Sequence, residues 1–151
     1  MADSLTYRYG RIVYAYLANS KTHKRELHPA VILSDNDEII QPEKFDPRKS
    51  PKDNSVRAIG VSTKYKTYST AYVRLPFSAD GRTSTRLKED CGAIIGWYHR
   101  LVIPDDAIGF GGDVPAATMQ RIDDVIRKEI CAKFNKEYET LSEIFDELLD
   151  D

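Results

Sequence analysis

Lys21, His23, Lys24, Arg25 and His28 crowd into the short polar stretch that leads to the apolar run Ala30-Val31-Ile32-Leu33-Ser34. Imidazole exchanges protons near neutral pH, while lysine and arginine supply positive charge for an anion. The residues therefore suit acid/base work or anion binding at the point where a loop feeds a rigid element.

Two strands must position them. Gly10-Arg11-Ile12-Val13-Tyr14-Ala15-Tyr16-Leu17 and the run after His28 are rich in β-branched and aromatic residues, and Pro29 is expected to mark the start of the second strand. Further strands are predicted at Val56 to Thr63, Ala71 to Leu75, Gly92 to Trp97 and Leu101 to Ile103. Turn-rich segments separate them, which argues for a compact barrel or sandwich over alternating strands and helices. Residues 35–55, with Pro42, Pro47 and Pro51 among mixed charges, read as a long surface loop. Ser78 to Thr85, around Asp80-Gly81-Arg82, reads as a turn with a flexible tip.

Helix is predicted late. Asp113 stands at an N-cap position, Pro115 suits a first turn, and Ile122, Val125, Ile126 and Ile130 follow at helical spacing, so one helix is expected to run to about Tyr138. Thr140 and Glu143 form a capping box for a second helix, whose Leu141, Ile144, Phe145, Leu148 and Leu149 make one apolar stripe. Two regions result: residues 1–136, a β domain with its helix, and residues 137–151, an acidic amphipathic tail.

The 151 residues suit one domain, and with 41% hydrophobic and 30% charged residues the composition is that of a globular chain. No apolar run reaches the roughly 18 residues needed to cross a bilayer, and Met1-Ala2-Asp3-Ser4 lacks the marks of a secretory signal, so a cytoplasmic location is expected. Cys91 and Cys131 match no metal-ligand spacing and read as reduced thiols. The net charge of −2 hides an asymmetry: seven of the 24 acids lie in residues 137–151, leaving 17 against 22 basic residues in the body, about +5. A basic body fits phosphate contacts.

Other chemistries lack support. Gly109-Phe110-Gly111-Gly112 has neither the lysine nor the strand context of a phosphate cradle and reads as a turn before the helix. His23, His28 and His99 do not form a zinc pattern, so no metal and no cofactor are expected. Ser34 lacks the flanking glycines of a nucleophile elbow.

Taken in order, Gly10-x-Ile12-Val13-Tyr14, Pro29-Ala30-Val31-Ile32-Leu33-Ser34, Val61-Ser62-Thr63, Arg74-Leu75-Pro76 and Gly92-Ala93-Ile94-Ile95-Gly96-Trp97 resemble the MazF/PemK/Kid family of toxins from type II toxin-antitoxin modules, over residues 8–130. The resemblance implies an SH3-like β-barrel of the MazF/Kid/CcdB type with C-terminal helix, a homodimer, a cognate antitoxin partner and metal-independent endoribonuclease activity on single-stranded RNA. The gyrase poison CcdB shares that fold without the nuclease, so fold alone does not decide function.

In that family the chemistry falls largely to an Arg just before the Pro-Ala-Val strand and to a Thr or Ser ending a neighbouring strand. Here His28 occupies the Arg position, and Ser62 or Thr63 the hydroxyl position, with Arg25 or Lys24 upstream as a source of fixed charge. The catalytic set implied is thus His28, Thr63, Ser62 and Arg25. Lys24, Lys64, Lys66 and Arg86 are candidates for phosphate contacts, and Tyr65 for stacking on a base. The acidic tail resembles in charge the segments with which antitoxins cover such grooves. Two function classes stand: a toxin-type endoribonuclease, and a non-catalytic member of the same fold that binds an antitoxin, nucleic acid or another protein.

Overall fold

The computed structural model describes residues 8–18, 24–33, 55–68, 70–102 and 107–134. They form six strands: β1 (Arg11–Ala18), β2 (Arg25–Ile32), β3 (Ser55–Ser62), β4 (Tyr72–Arg74), β5 (Gly92–Val102) and β6 (Ala107–Asp113). One helix follows, α1 (Ala116–Phe134). The strands make one antiparallel sheet in the order β4-β5-β3-β2-β1-β6. The chain is mainly β, as its strand-rich sequence predicts, but among the described residues the sheet stays open, with β4 and β6 as edges. The second helix after Thr140, the acidic tail, the loop over 35–54, Lys21, His23 and Ser34 lie outside the described residues.

Alternation along the strands sends side chains to two apolar layers. Ile12, Val31, Leu33, Ile59, Val61 and Ile95 share one layer with Met119, Ile122 and Ile126 of α1. Val13, Ala15, Leu17, Ile32, Ala58 and Trp97 belong to the other. Burial on both faces explains why Ala30 to Leu33 is a continuous apolar run, each residue 0% exposed.

Three boundaries differ from expectation. β2 begins at Arg25, not after Pro29, because β3 pairs only with Ala30–Ile32 and Pro29 stands past the end of that ladder, where a missing N–H is tolerated. The runs Gly92 to Trp97 and Leu101 to Ile103 form one bent strand. From Ile59↔Tyr98 to Val61↔Ala93, two steps along β3 span five along β5, and Gly96 at φ +100° absorbs the bulge. Finally, Gly109 to Gly112 is strand, not turn. A Cβ on Gly112 would collide with the Ser84 carbonyl, and the Gly112 and Asp113 amides donate to Thr85 and Ser84 at 3.1 and 2.8 Å. Gly112 therefore allows close backbone approach.

α1 is described as far as Phe134, and its expected continuation to Tyr138 lies outside the described residues. Asp113 ends β6 instead of capping the helix, and its carboxylate takes two bonds from the Arg8 guanidinium, at 3.1 and 2.9 Å. The first turn is closed by the Met119 amide donating to the Pro115 carbonyl at 3.0 Å.

Candidate functional site

Past the end of the β2–β3 ladder, β1 and β2 continue as a pair, with Tyr14 opposite Pro29, Ala15 opposite His28 and Tyr16 opposite Leu27. The strand period puts Tyr14, Leu27 and Pro29 on the same face as Ile12 and Val31. A cleft of about 590 Å³ opens there. Val61, Leu87 and Cys91, all buried members of the adjoining apolar layer, contribute apolar surface to it. His28, Thr63, Arg86, Lys88 and Glu89 contribute the polar groups. One wall thus comes from strand β2, and the other from the irregular segment between β4 and β5.

His28 alternates with Leu27 and Pro29, so it shares the side of Ala15 and packs edge-on against Trp97, ring centroids 5.1 Å apart. It reaches the cleft at the edge of β2 that β3 has left. Its side chain is 18% exposed, with Nε2 3.5 Å from the Glu26 carboxylate. That is ion-pair range without a hydrogen bond. Nδ1 lies 3.3 Å from the Val61 carbonyl. Both ring nitrogens thus face protein oxygens, Nδ1 within hydrogen-bond reach and Nε2 outside it. His99 also packs edge-on against Trp97, ring centroids 5.2 Å apart. Burial first, and the charge of His28 second, push His99 down to about 4.

Of the two candidate hydroxyls, Thr63 lines the cleft and is exposed. Ser62 is 5% exposed and its Oγ accepts the Lys64 amide at 3.0 Å, closing the turn after β3. Arg25 lies three residues upstream of His28, and its guanidinium donates to the Tyr16 carbonyl at 3.0 Å across the β1–β2 pair. Lys24, Lys64 and Lys66 are exposed and none lines the cleft.

Tyr65 departs most from its expected role as a stacking surface. Its ring is only 2% exposed and sits in the second apolar layer. Its hydroxyl donates to Asp90 at 2.8 Å, and Arg74 holds the same carboxylate at 3.1 Å. The Tyr65 hydroxyl, with Arg74 behind it, keeps Asp90 below the usual carboxylate range. A buried ring with an engaged hydroxyl is a structural member, and a base has no access to its face.

The second wall is fixed by a residue that sequence reasoning passed over. Thr85, 0% exposed, donates through Oγ1 to the Pro76 carbonyl at 2.6 Å, and the same oxygen accepts the Leu87 amide at 3.2 Å. With the strand-like bonds from β6, this clamps residues 84–87 onto the sheet edge. Upstream, Ser78 donates to Asp80 at 2.7 Å and accepts the Arg82 amide at 3.0 Å, so the supposed flexible tip is an internally bonded turn. Between the clamped neighbours Thr85 and Leu87, Arg86 adopts φ +59°, unusual for a residue with a side chain. Such a conformation costs about 1 to 3 kcal/mol and persists where its surroundings enforce it. Here they hold an exposed guanidinium at the rim of the cleft. Lys88 and Glu89 follow on the same wall, and neither could be singled out from composition alone.

Cys91 also borders the cleft, where burial pushes its thiol up to about 11, so it is protonated at neutral pH. Among the described residues no group of three or more His, Cys, Asp or Glu side chains is arranged to hold a metal ion. No described helix is long and apolar enough to cross a membrane. No protein-family model matches the chain, and no curated protein matches it.

Proposed function

We propose that the chain is a metal-independent endoribonuclease of the toxin type, a strongly bent relative of the SH3-like barrel, and that it cuts single-stranded RNA in the cleft between β2 and residues 84–89. The observation that supports this reading is the meeting of His28, Thr63 and Arg86, from three separate segments, at one cleft.

Each group has a use in RNA cleavage. The ribose 2′-hydroxyl attacks the adjacent phosphorus, the new O2′–P bond forms, and the P–O5′ bond breaks as O5′ takes a proton. The products are a 2′,3′-cyclic phosphate and a free 5′-hydroxyl. The phosphorane between them carries extra negative charge, which Arg86 and Lys88 offset in a cleft that His28 also borders. The Thr63 hydroxyl hydrogen-bonds a phosphate oxygen or the ribose. Apolar surface from Val61, Leu87 and Pro29 receives a nucleobase, while the cations take the phosphate. A cognate antitoxin and a homodimer belong to the same proposal.

Incubating the purified protein with mixed single-stranded RNA in EDTA tests it. Cleavage is expected, with loss of one cleft cation through Arg86→Ala slowing it roughly 10²- to 10³-fold. RNA left intact by the wild type would instead favour the non-catalytic class, a binding module of the same shape.

A further inference from the structure

We infer that Glu89, and not His28, is the general base of this site. The inference rests on the endoribonuclease reading above and assigns a proton acceptor that the reading leaves open.

The titratable groups bordering the cleft are few: Tyr14, His28, Arg86, Lys88, Glu89 and Cys91. Arg86 and Lys88 are cations at neutral pH and have no lone pair to offer. The Cys91 thiol is protonated and buried. Tyr14 offers only a phenol hydroxyl from the strand wall, a donor as much as an acceptor. His28 has the right chemistry, but its nitrogens face the Val61 carbonyl and the Glu26 carboxylate at 3.3 and 3.5 Å. Accepting a proton from RNA would require the ring to leave Trp97 and both oxygens.

Glu89 meets no such obstacle. It is exposed at the cleft, and among the described residues no hydrogen bond or ion pair engages its carboxylate. Its neighbour Asp90 is the acid that Tyr65 and Arg74 tie down. A carboxylate beside a polyanion repels phosphate, so its presence on a wall that otherwise offers Arg86 and Lys88 calls for a role that outweighs the repulsion. Taking the 2′-hydroxyl proton is such a role: Glu89 gains the proton as O2′ bonds to phosphorus, and O5′ then leaves with a proton from solvent or from the cationic groups.

Three variants and one ligand test this in the full chain. Glu89→Gln is expected to lower the cleavage rate at least 100-fold while binding of a non-cleavable 2′-O-methyl RNA stays within threefold. His28→Arg, which still donates hydrogen bonds but has no lone pair to act as a base, is expected to retain cleavage within about tenfold, whereas His28→Ala loses it. Wild-type rates in Glu89→Gln, or full inactivity of a folded His28→Arg, overturn the assignment and leave the nuclease intact. A wild type that cuts no RNA overturns both.

Discussion

The two walls of the cleft are built by different means. The β2 wall is a regular strand: Leu27, His28 and Pro29 are placed by pairing with β1, and the exposed ring of Tyr16 and side chain of Leu27 show how little packing that arm needs. The opposite wall has no repeating pattern. Residues 84–89 are held by one buried threonine, two amides donated from β6 and a glycine that lets the backbones touch. Period-two pairing positions a side chain through many weak, redundant bonds, whereas the clamp relies on a few that have no substitute. The difference teaches that the cationic groups of the cleft depend on Thr85 and Gly112 as firmly as on their own side chains.

Substitution separates the two walls most sharply at Gly112. Gly112→Ala places a methyl group into the Ser84 carbonyl and is expected to cost about 3 kcal/mol, read as a shift in the denaturant midpoint, because both partners are backbone and cannot swing away. Thr85→Val keeps the shape of the side chain but strands the buried Leu87 amide, for a loss of about 2 kcal/mol and an accompanying drop in RNA affinity. By contrast Leu27→Ala on the strand wall is expected to stay within about 0.5 kcal/mol, since that side chain is half exposed. Equal costs at Thr85 and Leu27 would erase the distinction between the walls.

Acid probes the surroundings of the strand wall through His99, which packs on the same Trp97 as His28. His99 is depressed from 6.5 to about 4, so between those values the unfolded chain binds a proton that the folded chain refuses. Stability contributed by neutral His99 is therefore complete above pH 6.5 and lost as the pH falls toward 4, about 1 to 2 kcal/mol by pH 5. Across pH 4 to 7 the melting temperature of His99→Gln is expected to fall less steeply than that of wild type; parallel slopes would assign the acid sensitivity elsewhere. Opposite in sign is Arg86→Gly, which relieves the positive φ and is expected to be neutral or stabilising by up to about 1 kcal/mol while weakening RNA binding. A stabilised protein with weaker binding would mark Arg86 as a residue kept for function at a structural cost.

How much of this was legible in the sequence follows the same division. The runs around Ile12, Val31 and Ile59 announce themselves as strands because β-branched residues recur where both faces of the sheet are buried. Helix α1 is legible from the spacing of Ile122 and Ile126, both 0% exposed. His28 stands out by its place before Pro29. The continuity of β5 was not legible, since Tyr98-His99-Arg100 looks like a break and the register that joins the two halves is set by β3 across the sheet. β6 was missed because glycines selected for close approach look the same, in sequence, as glycines selected for turning. Tyr65 was misplaced because alternation with lysines resembles a stacking stripe, while its burial is decided by Asp90 and Arg74, more than eight residues away in the chain. Glu89 lay hidden in a charged run whose members differ only in which one reaches the cleft.

The central claim, that the cleft joining both walls cuts RNA without a metal, is tested most directly by the ends it leaves. A defined single-stranded RNA incubated with the wild-type protein in EDTA should yield fragments bearing 2′,3′-cyclic phosphate and 5′-hydroxyl termini, absent with Arg86→Ala under the same brief exposure. Intact RNA across pH 5 to 9, or fragments ending in 5′-phosphate, would contradict the account.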